Sequence, residues 1–86
     1  TKTQQSINQG LSIEEFLINE AELNQIFNLN ISKENTQITL TFSHSSFENI
    51  AKFTEMINAN PSISISSIDI EIMIERYQVK ILIKII

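Results

Sequence analysis

Residues Ile63 to Ile86 read ISISSIDIEIMIERYQVKILIKII, and the architecture turns on how this segment is interpreted. Apolar residues recur at every second position through most of it, the period of a strand whose side chains alternate between two faces. Ile63 and Ile65 share one phase, whereas Ile68, Ile70, Ile72 and Ile74 share the other. The slip falls at Ser66-Ser67, where an extra residue predicts a bulge or a bend. Glu75-Arg76 reads as a turn. Beyond it Tyr77, Val79, Ile81, Ile83 and Ile85 form one face of a last long strand, and Gln78, Lys80, Leu82, Lys84 and Ile86 the other. An isolated pair of strands is marginal in water, so the rest of the chain must supply a surface that buries these isoleucines.

Immediately upstream, Ser45-Ser46-Phe47-Glu48 carries the Ser-x-x-Glu pattern of a helix capping box. Phe47, Ile50, Ala51, Thr54 and Ile57 then make an apolar stripe at helical spacing. Asn58-Ala59-Asn60-Pro61 ends the helix, because Asn tolerates the left-handed terminal position and Pro cannot continue. Further back, Phe27, Leu29 and Ile31 alternate with Asn28, Asn30 and Ser32, and Ile38, Leu40 and Phe42 alternate with Gln37, Thr39, Thr41 and Ser43. Lys33-Glu34-Asn35 joins these two strands into a hairpin, with Asn35 taking a left-handed conformation. A first helix is predicted from Leu11, with Ser12 and Glu15 as a capping box and Leu11 and Phe16 as its hydrophobic staple. Its apolar stripe is Ile13, Phe16, Leu17 and Ala21. An extension of this helix to about Leu29 is the alternative, against which the alternating Asn residues argue.

The element order is helix–strand–strand, twice. Two helices on one face of a four-stranded antiparallel sheet bury every stripe, and the last and second strands then lie in the centre. The fold class is α+β, a ferredoxin-like sandwich permuted so that its first strand stands at the chain's end. We read residues 1–10 as a linker or the end of an upstream helix and 11–86 as the domain. A chain starting at Thr1 rather than Met is expected to be a fragment or a processed product, with any leader or membrane span upstream of it.

With 86 residues, 42% of them hydrophobic, one Gly, one Pro and no Cys, the chain is neither a disulfide scaffold nor a disordered segment. Thiolate metal centres and cysteine nucleophiles are excluded. A net charge of −4 argues against electrostatic capture of nucleic acid or anionic membrane. An RNA-binding sheet would also need stacking aromatics on its open face. That face is expected to present Asn28, Asn30, Thr39, Thr41, Lys80 and Lys84, with Phe27 and Phe42 in the buried phase.

Chemistry-bearing residues are few. His44, the only histidine, lies among serines before the second helix, and it lacks the orienting group and oxyanion hole that would make a neighbouring hydroxyl a nucleophile. Asp69 and Glu71 share one strand face, and no third oxygen donor follows at a defined spacing. Asn30-Ile31-Ser32 matches a glycosylation acceptor, read here as a chance match within a strand. We assign no catalytic residue, no cofactor and no metal. The informative features are the sheet edges, Gln25–Ile31 and Ser62–Ile74, which carry no internal Pro and no bank of Lys to discourage pairing. Apolar residues are also expected on the outer face at Ile26, Met73, Leu82 and Ile86. Together with Asn28 and Asn30 these make the candidate interface.

The stretches Ile38-Thr39-Leu40-Thr41-Phe42, Ser46-Phe47-Glu48-Asn49-Ile50 and Ile65-Ser66-Ser67-Ile68-Asp69-Ile70, with the apolar last strand, carry a resemblance. In this element order the chain resembles the periplasmic domain of the type II secretion protein M family and the type IV pilus-assembly protein O family. That resemblance spans about Leu11 to Ile86. It implies a non-catalytic domain of an inner-membrane assembly platform, acting by homodimerisation and by docking related platform proteins. Membrane attachment would come through an upstream segment, and Thr1–Gly10 would close a coiled-coil linker. The alternative of another class is a small-molecule-sensing regulatory module of the same fold. A hydrolase of acylphosphatase type is disfavoured, since its phosphate-cradling loop has no counterpart.

Overall fold

A computed structural model describes the backbone of residues 2–86 and the side chains from residue 13 onward. The elements are α1 (Lys2–Leu23), β1 (Asn30–Glu34), β2 (Gln37–His44), α2 (Phe47–Asn58), β3 (Ile63–Met73) and β4 (Arg76–Ile85). The strands form one antiparallel sheet in the order β1-β2-β4-β3. The expected α+β architecture is therefore present, with the helix–strand–strand unit repeated and the second and last strands central.

The core follows the alternation of the sequence. Ile38, Leu40 and Phe42 of β2 pair with Ile83, Ile81 and Val79 of β4, and all six are buried. Onto this face pack Leu17 and Ala21 of α1 and Ile50, Phe53 and Ile57 of α2, with Ile13 and Phe16 partly buried against them. The rings of Phe42 and Phe53 meet edge to face at 5.5 Å, an arrangement the ring quadrupoles favour. The expected bulge is present, as the pairing of β3 with β4 shifts register between Ile65 and Ser67. Asn35 does take a left-handed conformation (φ 58) in the hairpin between β1 and β2.

Several boundaries differ from expectation. The helix α1 runs unbroken through Gly10 to Ser12, so Ser12 has helical backbone rather than the extended conformation of a cap. The side-chain capping box and the Leu11 half of the staple lie outside the described side chains. At its other end α1 closes with Gln25 in the left-handed region (φ 63). The Gln25 N–H donates to Glu22 O, and the Ile26 N–H donates to Ala21 O at 2.8 Å. This is a Schellman closure with Gln in the place Gly usually takes. It folds Ile26 back beside Ala21 into the core at 1% exposure, which corrects its expected place on the outer face. The same reversal delays β1 to Asn30 and leaves Phe27 79% exposed rather than in the buried phase.

The second helix is capped one residue later than expected. Ser46 is its N-cap, and the Ser46 hydroxyl accepts from the Asn49 N–H. Phe53, not Phe47, supplies the buried aromatic. At the C-terminus Ala59 stays right-handed, and the Asn60 side chain instead accepts the Ser62 N–H at 2.9 Å. The last hairpin turns at Ile74-Glu75 rather than Glu75-Arg76, because Met73 already pairs with Arg76.

Candidate interaction surface

His44 is held from both sides by backbone. Its Nδ1 accepts the Ser46 N–H at 2.9 Å, which leaves Nε2 as the protonated nitrogen, donating to Gln25 O at 3.1 Å. Asn49 Nδ2 donates to the neighbouring carbonyl of Asn24 at 2.8 Å. These bonds tie the C-terminal closure of α1 to the end of β2 and the cap of α2. With both ring nitrogens engaged, His44 has no lone pair directed at a neighbouring hydroxyl, and its geometry is that of a clasp.

The open face of the sheet is polar in rows. Paired residues share a face, so Asn30, Thr41, Lys80 and Asp69 form one row across all four strands, and Ser32, Thr39, Leu82 and Ser67 the next. Asn28 stands just before β1, where its side-chain amide donates to Ser43 Oγ at 2.8 Å. Arg76 Nη1 reaches the same hydroxyl at 3.2 Å. A shallow depression lies at Thr41, Asp69, Glu71, Gln78 and Lys80. Among the described residues no three His, Asp or Glu side chains converge as a metal ion requires.

The nominated interface residues do not form one patch. Ile26 belongs to the core. Asn28 and Asn30 are exposed at the β1 margin, and Leu82 is half-buried mid-sheet. Met73 is exposed at one end of β3, while Ile86 lies past the opposite end, its N–H donating to Ser62 O. Ten residues of strand separate the level of Arg76, the pairing partner of Met73, from that of Ile86, about 33 Å at strand rise.

The structure instead assembles an apolar strip on the helix side of β3. Rows that begin with buried or half-buried residues end there exposed: buried Leu40 and Ile81 lead to Ile68, buried Phe42 and Val79 to Ile70, and half-buried His44 and Tyr77 to Ile72. Ile72 is 80% exposed, and Ile74 at the tip 90%. Phe47, half outside the fold, packs its ring on Tyr77 at 5.7 Å and continues the strip onto α2. The twelve residues of α2 span about 18 Å and the eleven of β3 about 36 Å, so α2 cannot cover the whole strand. The edge position of this strand and its phase are visible in the sequence. Which part of it the helix leaves uncovered is not.

No described helix is long and apolar enough to cross a membrane. No protein-family model, no curated protein and no solved structure matches the chain.

Proposed function

We propose that this domain is a non-catalytic protein–protein interaction module, the periplasmic domain of an inner-membrane assembly-platform protein of the kind that serves type II secretion or type IV pili. It works by self-association and by docking related platform proteins, and it couples these without chemistry of its own. The observation that carries the reading is the uncovered margin of β3. There a long unpaired edge is flanked by exposed Ile68, Ile70, Ile72 and Phe47. Soluble monomers rarely keep a contiguous apolar strip beside an open edge unless something covers it. The repeated helix–strand–strand order supports the platform assignment in particular, since that order carries the resemblance.

Sedimentation equilibrium over a wide concentration range tests the reading, with the gene upstream of Thr1 read for a membrane span. The expected result is a concentration-dependent dimer, weakened by Ile72→Asp or Phe47→Asp, both exposed on that strip, with monomer folding retained. A strict monomer encoded with no upstream span contradicts it, and ligand screening for a sensing role is then the next step.

A further inference from the structure

Resting on the reading of the domain as a docking module, we propose that the free edge of β3 receives an extended segment of another protein in which apolar residues alternate with Lys or Arg. Among the described residues β3 is paired on one side only, so its other side presents unpaired backbone N–H and C=O groups along Ile63–Met73. A strand added there extends the sheet, and its side chains fall opposite those of β3 on the same faces. On the helix side it meets Ile68, Ile70 and Ile72; on the open side it meets Asp69 and Glu71. An apolar residue suits the first set and a cation the second. The chain's own β4 satisfies that rule from within: it places Ile81 opposite Ile68, Lys80 opposite Asp69 and Val79 opposite Ile70.

A second copy of this chain fits the same edge poorly. Two-fold antiparallel pairing of β3 with itself keeps the faces matched only when it pivots on a residue paired with its own equivalent. A pivot at Ile70 sets Asp69 opposite Glu71 of the second copy twice, and like charges directly opposed are destabilising. A pivot at Ile68 drives Ile70 into the bulge at Ser66, and a pivot at Ile72 reaches the Ile74-Glu75 turn within two residues. The carboxylates at the central register, with the bulge and the turn on either side of it, thus disfavour strand pairing between two copies, leaving self-association to the side chains of the apolar strip, while the acidic phase favours a basic partner strand.

The test is the affinity of the 86-residue chain for a labelled ten-residue peptide of alternating Val and Lys, against one of alternating Val and Glu, by fluorescence anisotropy. The Val–Lys peptide is expected to bind saturably, weakening as salt is added, and the Val–Glu peptide to bind at least about tenfold more weakly. Reversing the two exposed charges with Asp69→Lys and Glu71→Lys should exchange the preference, and Ile72→Ser should weaken both peptides in either background. Equal binding of the two peptides, binding of neither, or a preference unmoved by charge reversal overturns the proposal. Self-association is read separately by sedimentation, so a chain that dimerises yet ignores both peptides retains its docking role and loses this edge.

Discussion

At one margin of the sheet β1 contributes five residues, of which Asn30, Ser32, Lys33 and Glu34 are exposed and polar. At the other, β3 contributes eleven, with isoleucines exposed along half its length. The short margin is what a sheet needs to avoid adventitious pairing: few backbone groups, a charge on the edge, and Asn28 bonded back onto Ser43. The long margin has a bulge and two carboxylates, and its apolar cover thins from Ile68 and Ile70, about 40% exposed, to Ile72 at 80%. Both strands belong to the same repeated unit, so the difference is not one of architecture. It arises in the segments that join each helix to its first strand. The Schellman closure at Gln25 consumes residues that would otherwise lengthen β1, whereas α2 leads through a short Asn60 turn into a full-length strand. One repeat ends in a short polar edge and the other in a long, partly apolar one.

The largest expected effect concerns the centre that both margins share. Phe53→Ala removes the ring that fills the space above Phe42, and a loss of about 3–5 kcal/mol is expected in urea denaturation. A smaller loss would mean that α2 is loosely seated and the contrast between edges overstated. Next, His44→Ala deletes two backbone hydrogen bonds of the clasp and should cost about 1–2 kcal/mol. Amide exchange should rise first near Asn24–Leu29 and α2's cap, with β3 unaffected; acceleration spread evenly over both margins would blur the distinction.

The hairpins separate the two margins at lower energy. Each turn holds a residue at positive φ, Asn35 in the turn that leaves β1 and Glu75 in the turn that leaves β3 (φ 65). Asn adopts that region at lower cost than Glu, so Glu75→Gly should stabilise by up to about 1 kcal/mol in thermal denaturation, while Asn35→Gly should change little. Smallest of all, Ile72→Lys should alter stability by less than about 0.5 kcal/mol, because the side chain is already in water. A larger loss would show that Ile72 is covered in the monomer, and the open margin would disappear.

How much of this is legible in the sequence depends on whether a local period or a distant contact decides the outcome. The alternation of Ile38, Leu40, Phe42 and of Val79, Ile81, Ile83 announces two buried strands, and their apolar density places them centrally. Ser66-Ser67 announces the bulge through a change of phase. Element ends are harder. Gly10-Leu11-Ser12 looks like a start because Ser favours caps, yet the helix passes through it, since a Gly inside a long helix costs only about 1 kcal/mol. Ile26 departs from its expected face because a left-handed Gln is an uncommon helix terminator with no compositional signal. Phe53 and Phe47 are six apart on α2, and only the angle at which the helix meets β4 decides which is buried. The apolar strip on β3 depends on the same tertiary fact. Periodicity assigns a residue to a face, but not whether anything lies over that face.

Residue-resolved amide hydrogen exchange, on the free chain and on the chain saturated with the Val–Lys peptide, puts the difference between the margins to direct trial. Added protection is expected along β3 from Ser67 to Met73, with β1 from Asn30 to Glu34 unchanged. Protection of β1 instead, or of both margins equally, would contradict the claim that the two edges of this sheet are built for different fates.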